Sequence, residues 1–202
     1  MSSPLLSDLA REAQRLAGLG FMACTGGNLS VRLPEAEFTV AVSVSGIDKG
    51  RLTAADFMLV GADAKPKAGE TRKPSDETAL HVALYQATGC GSVCHGHPTY
   101  AVTMSLVVAD HVRFHGIEMQ KAFAGTTTHE CERLLPVIDN HQDMAVLAQR
   151  AVAAHVAEVP AVLVRGHGVY AWGRTSTEAA RHLETVEWLC RVVYLRRALG
   201  QN

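Results

Sequence analysis

The spacing of apolar residues predicts a helix at each end of the chain. Residues 5–17 carry apolar side chains at the three- to four-residue period of a helix with one buried face, and two glycines then end the segment. Residues 175–178, with the sequence TSTE, match a capping box, in which a hydroxyl and a carboxylate cap the first turn of a helix. We therefore predict a long final helix that begins there and is closed by Gly200.

Short apolar runs and turn residues predict the elements between these helices. Ser75 is positioned as a helix N-cap, with Asp76 and Glu77 in the favourable first turn of a helix that ends near Thr88. The polar segment 62–74 before it contains two prolines and is predicted to be a loop. Further helices are predicted over 99–108 and 141–156, and strands over 29–32, 38–44, 57–60, 91–97, 161–164 and 169–172. Because several neighbouring strands are joined by short turns, we expect a largely antiparallel or mixed sheet with helices packed on it.

The composition is that of a globular protein with one substantial core. The chain has 202 residues, of which 48% are hydrophobic and 19% are charged, and its formal net charge is −1. Since there is no basic run, neither nucleic acid nor an anionic membrane is an expected partner. No apolar stretch is long enough to span a membrane, and the first residues lack the charged start of a signal peptide. The five scattered cysteines fit reduced thiols, so we expect a cytoplasmic protein.

Three histidines have the placement of a catalytic metal site. His95 and His97 lie two residues apart at the end of a predicted strand, so both rings leave the same face of the sheet. His167 lies between two glycines, just beyond the predicted strand 161–164. Three imidazoles that leave a fourth position open are typical of catalytic zinc, and Fe²⁺ or Mn²⁺ also fits such a site. Strand alternation turns Cys94 away from the two rings, so we expect it to be a small buried side chain.

Three turns carry groups that bind a phosphate. Residues 25–28, 45–46 and 73–76 combine hydroxyls, a side-chain amide and exposed backbone N–H groups, the last of them at a predicted helix N-terminus. The candidate contacts are Thr25, Gly26, Asn28, Ser45, Gly46 and Ser75. Neither the P-loop nor the dinucleotide-binding glycine spacing occurs, which favours a compact phosphorylated metabolite over a nucleotide.

Five motifs, in this order and spacing, resemble the class II aldolase/adducin family. The resemblance covers residues 9–199 and rests on TGGNLSVR at 25–32, SGID at 45–48, PSDETALH at 74–81, HGHP at 95–98 and RGHG at 165–168. It implies a single domain over residues 1–202, with a three-layer α/β/α fold on a mostly antiparallel central sheet. It also implies a homotetramer with active sites near subunit contacts, and one Zn²⁺ per subunit on His95, His97 and His167. The residues that it implies for phosphate are Thr25, Asn28, Ser45, Gly46 and Ser75.

Within the family, residues 115–121 and 166–173 resemble the branch that dehydrates 5-methylthioribulose 1-phosphate in methionine salvage. That branch carries its acid/base glutamate at the position of Glu118. The sugar-phosphate aldolases of the family carry, at the position of Glu77, a glutamate that ligates the metal and then acts as acid or base. Without the resemblance, Glu77 is a first-turn helix acid and Glu118 a solvated loop charge. Both remain catalytic candidates, with Glu118 as the base that removes the C3 proton of the substrate. Asp76 departs from the serine pair that some aldolases use for phosphate.

Other functions stay open on the sequence. A zinc aldolase or epimerase acting on another sugar phosphate uses the same kind of metal site, and an aldolase differs by cleaving a carbon–carbon bond. A non-catalytic interaction module, as in adducin-like members, does not need the three histidines and Glu77, which are all present. A metallohydrolase ranks last because no HExxH motif occurs.

Overall fold

The computed structural model describes residues 4–201, which build an eight-stranded sheet with helices on both of its faces. The helices are α1 (Pro4–Gly18), α2 (Thr78–Thr88), α3 (Thr99–Val107), α4 (Met144–Ala154) and α5 (Ser176–Ala198). The strands are β1 (Asn28–Arg32), β2 (Val40–Ser43), β3 (Phe57–Val60), β4 (Ser92–Gly96), β5 (His111–His115), β6 (Glu132–Ile138), β7 (Ala161–Val164) and β8 (Gly168–Gly173).

The strand order across the sheet is β3-β2-β1-β4-β8-β7-β6-β5. Every neighbouring pair is antiparallel except β6 and β7, which run parallel. A parallel pair needs a long crossover connection, and α4 lies in the segment that joins these two strands. The prediction of a mostly antiparallel sheet is confirmed.

Side-chain alternation in the strands builds two cores, one on each face of the sheet. In β8, Val169 and Ala171 pack in the core that also contains side chains of α1, α3 and α5. Tyr170 and Trp172 point to the other face and pack with side chains of α2 and α4. The helices therefore cover both faces, and the expected three-layer α/β/α architecture is confirmed.

The prediction misses β5 and β6 at one edge of the sheet. In β5, only Val112 and Phe114 are fully buried, and they alternate with polar side chains over a short run. In β6, Pro136 weakens the strand pattern because proline donates no hydrogen bond to a neighbouring strand. The two strands form by pairing with each other, from His111 opposite Pro136 to His115 opposite Glu132.

Two helix starts also differ from the prediction. Ser75 is not the N-cap of α2: its carbonyl accepts from Thr78 N at 3.1 Å in a preceding turn, and the cap position is Glu77. Helix α4 begins at Met144 rather than at residue 141, because the Asp143 side chain accepts from Ala145 N and caps it there. The first difference matters for the site, since the Glu77 side chain makes no capping bond and is free to point elsewhere.

The capping box predicted at α5 forms only in part. The Thr175 hydroxyl accepts from Glu178 N at 3.2 Å, as predicted. The Glu178 carboxylate does not return to Thr175 N but accepts from Arg174 N at 2.6 Å. The helix nevertheless begins at the predicted place, because the threonine cap is sufficient to satisfy a first-turn N–H.

All five cysteines are free thiols, and Cys94 is fully buried. It packs with α1, α3 and α5, on the face of the sheet opposite Tyr170, as strand alternation predicts. Over residues 4–201, no helix combines the length and the apolar character needed to cross a membrane.

Candidate active site

Three histidines meet at the edge of the sheet where β4 ends and β8 begins. His95 lies in β4, His97 follows that strand, and His167 lies in the turn between β7 and β8. Their ligating nitrogens all lie within 4.8 Å of one another, and His95 Nε2 is 2.9 Å from His97 Nε2. Because β4 pairs with β8 and β8 pairs with β7, the sheet itself brings the three rings together.

Gly168 makes this close approach possible. A Cβ at this position would lie 2.8 Å from His97 Cδ2, 2.9 Å from His95 Cε1 and 2.3 Å from the carbonyl oxygen of Gly96. Contacts this short are not tolerated, so any larger residue would displace the rings or the strand. The glycine after His167 is therefore required by the packing of the three rings.

The ring of His95 is held on two sides. Its Nδ1 donates to the carbonyl of Val169 at 2.9 Å, which leaves the lone pair of Nε2 directed at the other two histidines. The ring of Tyr170 stacks on it, with centroids 4.0 Å apart and an angle of 16° between the planes. Burial lowers the pKa of His95 to about 3, so the ring is neutral at pH 7, as a metal ligand must be.

The carboxylate of Glu77 reaches the same point. Its Oε1 lies 3.0 Å from His167 Nε2 and 3.4 Å from His95 Nε2, and its Oε2 accepts from the side-chain amide of Asn28. Burial raises the pKa of this carboxyl, but the neighbouring imidazoles and the Asn28 amide outweigh burial and hold the pKa well below its usual range. Glu77 is therefore a negative charge placed against three imidazoles.

This donor set fits a divalent cation. Three imidazole nitrogens and one carboxylate oxygen converge on one point, and the hydrogen bond at His95 Nδ1 fixes the ligating tautomer of that ring. Nitrogen-rich sites of this kind suit Zn²⁺ and other first-row divalent ions better than Mg²⁺ or Ca²⁺.

The three predicted phosphate-binding turns surround one cavity beside the histidines. The cavity has a volume of about 220 Å³, and Glu77 and His97 form the wall that it shares with the histidine cluster. All six predicted contacts line it, namely Thr25, Gly26, Asn28, Ser45, Gly46 and Ser75. Hydroxyls, an amide and backbone N–H groups are the neutral donors that phosphate oxygens accept from.

A second, larger cavity adjoins the first and extends to His167. Its volume is about 650 Å³, and it shares Ser45, Ser75, Glu77 and His97 with the smaller cavity. The segment after β6 contributes Asn140, Gln142 and Met144, which the sequence did not single out. A ligand bound in the smaller cavity can therefore extend from there past the histidines.

Two further residues of this site are absent from the sequence prediction. Tyr170 lies directly opposite His95 in the pairing of β4 with β8, so only the pairing register reveals its role. Lys49 lines the smaller cavity although its side chain is almost fully buried. The only sequence feature that could have pointed to Lys49 is its position four residues after Ser45, a predicted anion-binding residue.

The family described as Class II Aldolase and Adducin N-terminal domain matches residues 7–194. The chain belongs to the class II aldolase and adducin family. Among its solved members, an L-fuculose-1-phosphate aldolase from Thermus thermophilus is 26% identical, with a TM-score of 0.78, and each chain is covered over 100% of its length. The fold expected from the resemblance is thus the fold of this family.

Relatives within the family carry the name methylthioribulose-1-phosphate dehydratase. The protein of that name from Pectobacterium carotovorum is 44% identical over 184 residues, covering 89% of this chain and 88% of that protein. The one from Geobacillus thermodenitrificans is 38% identical over 199 residues, covering 95% of this chain and 93% of that protein.

Glu118, unlike the other candidate site residues, lies away from the histidines. Strands β4, β7 and β6 run towards the side of the sheet where the histidines lie and end there. Strand β5 is antiparallel to β6, so it begins on that side and ends on the opposite side, where the other ends of these strands lie. Glu118 follows the end of β5, four strands from β4, which corresponds to about 19 Å across the sheet alone. Its carboxylate is exposed and contacts Lys121 Nζ at 2.7 Å and His129 Nδ1 at 3.4 Å. Glu77 and Glu118 are therefore not brought together within one chain.

Proposed function

We propose that this protein is a metal-dependent lyase that removes one water from 5-methylthioribulose 1-phosphate, giving 2,3-diketo-5-methylthiopentyl 1-phosphate in methionine salvage. The observation that carries the proposal is the 44% identity, over about nine-tenths of the chain, to a relative named for this dehydratase activity. The adjoining histidine cluster and donor-lined cavity support it, because the substrate has both a ketone and a phosphate.

The proposed cofactor is one Zn²⁺ per subunit, held by His95, His97 and His167. When bound, such an ion supplies Lewis acidity to the ketone and hydroxyl oxygens of the substrate. The fixed tautomer of His95 and the negative charge of Glu77 support the assignment, since both favour a cation at the point where the three rings converge.

The cavity lined by Thr25, Ser45 and Ser75 is the proposed place of the phosphate. Its hydroxyls and the backbone N–H groups of the glycine turns donate to the phosphate oxygens and fix that end of the substrate. Because the two cavities share Ser45, Ser75 and His97, the carbon chain then runs along the histidines. Binding energy from the phosphate is thereby used to orient the reacting carbons.

Glu118 is proposed to remove the C3 proton, and it acts on the site of a neighbouring subunit. Removal of this proton leaves an enediolate across C2 and C3. Its electron pair then forms the C3–C4 double bond and restores the C2 ketone as the C4 hydroxyl leaves with a proton, so that one water is lost, and the resulting enol becomes the 2,3-diketone. Since β5 carries Glu118 to the opposite edge of its own sheet, a neighbouring copy in a homotetramer is the arrangement that brings it to the histidines. Such a homotetramer is proposed to work in the cytoplasm, where its free thiols stay reduced.

A second candidate is an aldolase that acts on another sugar phosphate. The observation that favours it is the 3.0 Å distance between Glu77 Oε1 and His167 Nε2, because Glu77 is where the family's aldolases carry an acid/base glutamate. In that reaction Glu77 rather than Glu118 moves the proton, and the C3–C4 bond breaks. The two reactions share the site and differ in their products.

The test is a turnover assay of the zinc-loaded protein with 5-methylthioribulose 1-phosphate, followed by mass spectrometry. Loss of one water with the carbon count unchanged is the expected result. Release of dihydroxyacetone phosphate would identify the protein as an aldolase and not a dehydratase. No reaction with zinc bound would contradict the proposed substrate. The variant His97→Ala, which removes one proposed ligand, is the control for dependence on the metal.

A further inference from the structure

Lys49 is a buried cation that joins two of the turns around the smaller cavity. It lies in the 3₁₀ turn Lys49–Arg51, and only 2% of the residue is exposed. Its ammonium donates to the carbonyl of Thr25 at 2.9 Å and to the carbonyl of Ile47 at 2.7 Å. These carbonyls belong to the glycine turns at 25–28 and 45–48, so Lys49 holds together the two turns that line the cavity.

The ammonium has no carboxylate partner within 4.0 Å among residues 4–201. The adjacent Asp48 is engaged otherwise, since its carboxylate accepts from Gly50 N at 2.9 Å and lies 3.6 Å from Arg51 Nε. Burial without a counter-charge disfavours the ammonium, and burial lowers the pKa of Lys49 accordingly, although Asp48 and Glu77 act against this. A bound anion would supply the counter-charge that the buried ammonium lacks.

The cavity that Lys49 lines provides the place for that anion. Among residues 4–201, no other lysine and no arginine lines it, and the remaining donors are neutral hydroxyl, amide and backbone groups. An ammonium has three N–H donors, of which the two carbonyls use two, so one remains for a ligand. A cation is needed here because Glu77, in the same cavity wall, repels a second negative charge.

We propose that Lys49 is a phosphate-binding residue, whose ammonium supplies the positive charge for the phosphate monoester of the substrate and selects phosphorylated over unphosphorylated sugars. The identity of the sugar rests on the proposed function. The phosphate specificity rests on the buried cation and the cavity alone.

Binding of inorganic phosphate tests the inference without turnover. The variant Lys49→Gln keeps a donor for the two carbonyls and removes the charge, and Lys65→Gln removes the same charge at an exposed loop position as the matched control. We expect Lys49→Gln to bind phosphate roughly 10- to 100-fold more weakly than wild type, by calorimetry or by phosphate-induced thermal stabilisation. Lys65→Gln is expected to bind phosphate like the wild type.

Equal phosphate affinity of Lys49→Gln and wild type would overturn the proposal. Failure of both Lys49→Gln and Lys49→Met to fold in phosphate-free buffer would also overturn it, because it would assign Lys49 a purely structural role in joining the two turns. Lys49→Arg, which retains the charge, is expected to keep more phosphate affinity than either neutral variant. These outcomes are independent of the reaction, so failure of the dehydratase assay leaves the phosphate test intact.

Kinetics then connect the residue to the substrate. In a protein that turns over 5-methylthioribulose 1-phosphate, Lys49→Gln is expected to raise KM more than it lowers kcat. It is also expected to lose most of the preference for this substrate over unphosphorylated 5-methylthioribulose. An unchanged preference would contradict the role of Lys49 in selecting the phosphate.

Discussion

The rings of His95 and Tyr170 stack face to face across two paired strands, with their centroids 4.0 Å apart. Tyr170 is fully buried, and it also packs in the hydrophobic core formed with side chains of α2 and α4. A side chain of the hydrophobic core therefore helps to orient His95, a proposed metal ligand. Stability and metal affinity are expected to be coupled through this contact.

Replacing Tyr170 is expected to weaken metal binding. Tyr170→Leu removes the flat surface against His95, and loss of a group that orients a ligand typically costs about 10- to 100-fold in metal affinity. Competition with a chromophoric zinc chelator measures this affinity. Tyr170→Phe keeps the ring and is the matched control, so equal zinc affinity of the folded Leu and Phe variants would contradict the coupling. The larger truncation Tyr170→Ala is expected to destabilise the fold by about 3–5 kcal/mol.

Mixing two inactive variants tests whether Glu118 serves a neighbouring subunit. Glu118→Gln keeps the histidines and is expected to bind zinc while losing about 10²–10⁴-fold in kcat, the usual range for a general base. His97→Ala keeps Glu118 and loses the metal site. Co-refolded mixed oligomers are expected to recover activity at roughly one quarter of their sites, because each working site takes its histidines from one copy and Glu118 from another. No recovery in mixed oligomers, or full turnover by Glu118→Gln, would rule out this arrangement.

Glu187 is expected to stabilise the start of α3. Its carboxylate accepts from Tyr100 N at 3.0 Å and Ala101 N at 2.8 Å, in a helix whose cap residue, Pro98, makes no side-chain capping bond. Glu187→Ala leaves these N–H groups without a partner and is expected to cost about 1–3 kcal/mol in unfolding free energy. Glu187→Gln keeps one acceptor oxygen and is expected to cost less, as measured by urea unfolding.

The same variants report on the metal site, because α3 begins two residues after His97. Glu187→Ala is therefore expected to lower zinc affinity along with stability, and Glu187→Gln to restore part of both. If zinc affinity is unchanged when stability falls, the helix start does not help to position His97.

His81 is expected to make stability depend on pH. Complete burial lowers its pKa to about 4, from a usual value of 6.5. Between these pH values the unfolded chain binds a proton that the folded chain does not, so stability falls as the pH is lowered from 6.5 towards 4. The shift corresponds to roughly 3 kcal/mol over this window. Its Nδ1 lies 2.7 Å from Ser30 Oγ, a contact that glutamine can replace in part.

Urea unfolding of the metal-free protein at several pH values measures this dependence. His81→Gln is expected to reduce the slope of the unfolding free energy against pH by up to one proton over this window. Identical slopes for His81→Gln and wild type would show that His81 is not the group responsible.

Features that depend on local pattern could be predicted from the sequence. The period of α1, the threonine cap of α5 and the alternation that separates Cys94 from His95 each involve residues close along the chain. The same holds for the two histidines two residues apart and for the glycine turns. These short motifs indicated a histidine site and a set of anion-binding turns, and the structure then placed the two side by side.

Other features follow only from pairing between distant segments. Strands β5 and β6 lack a clear pattern of their own and form by hydrogen bonding to each other. The stacking of Tyr170 on His95 depends on the register of β4 with β8. The burial of Lys49 depends on two carbonyls in separate turns.

The sequence by itself therefore determined the family, the fold class and the types of residue available for chemistry, because these reside in local periodicity and short motifs. Only the tertiary structure decided which residues meet. It set Glu77 against the histidines and Glu118 at the opposite edge of the sheet, because strand order and direction are fixed by long-range pairing and not by spacing along the chain.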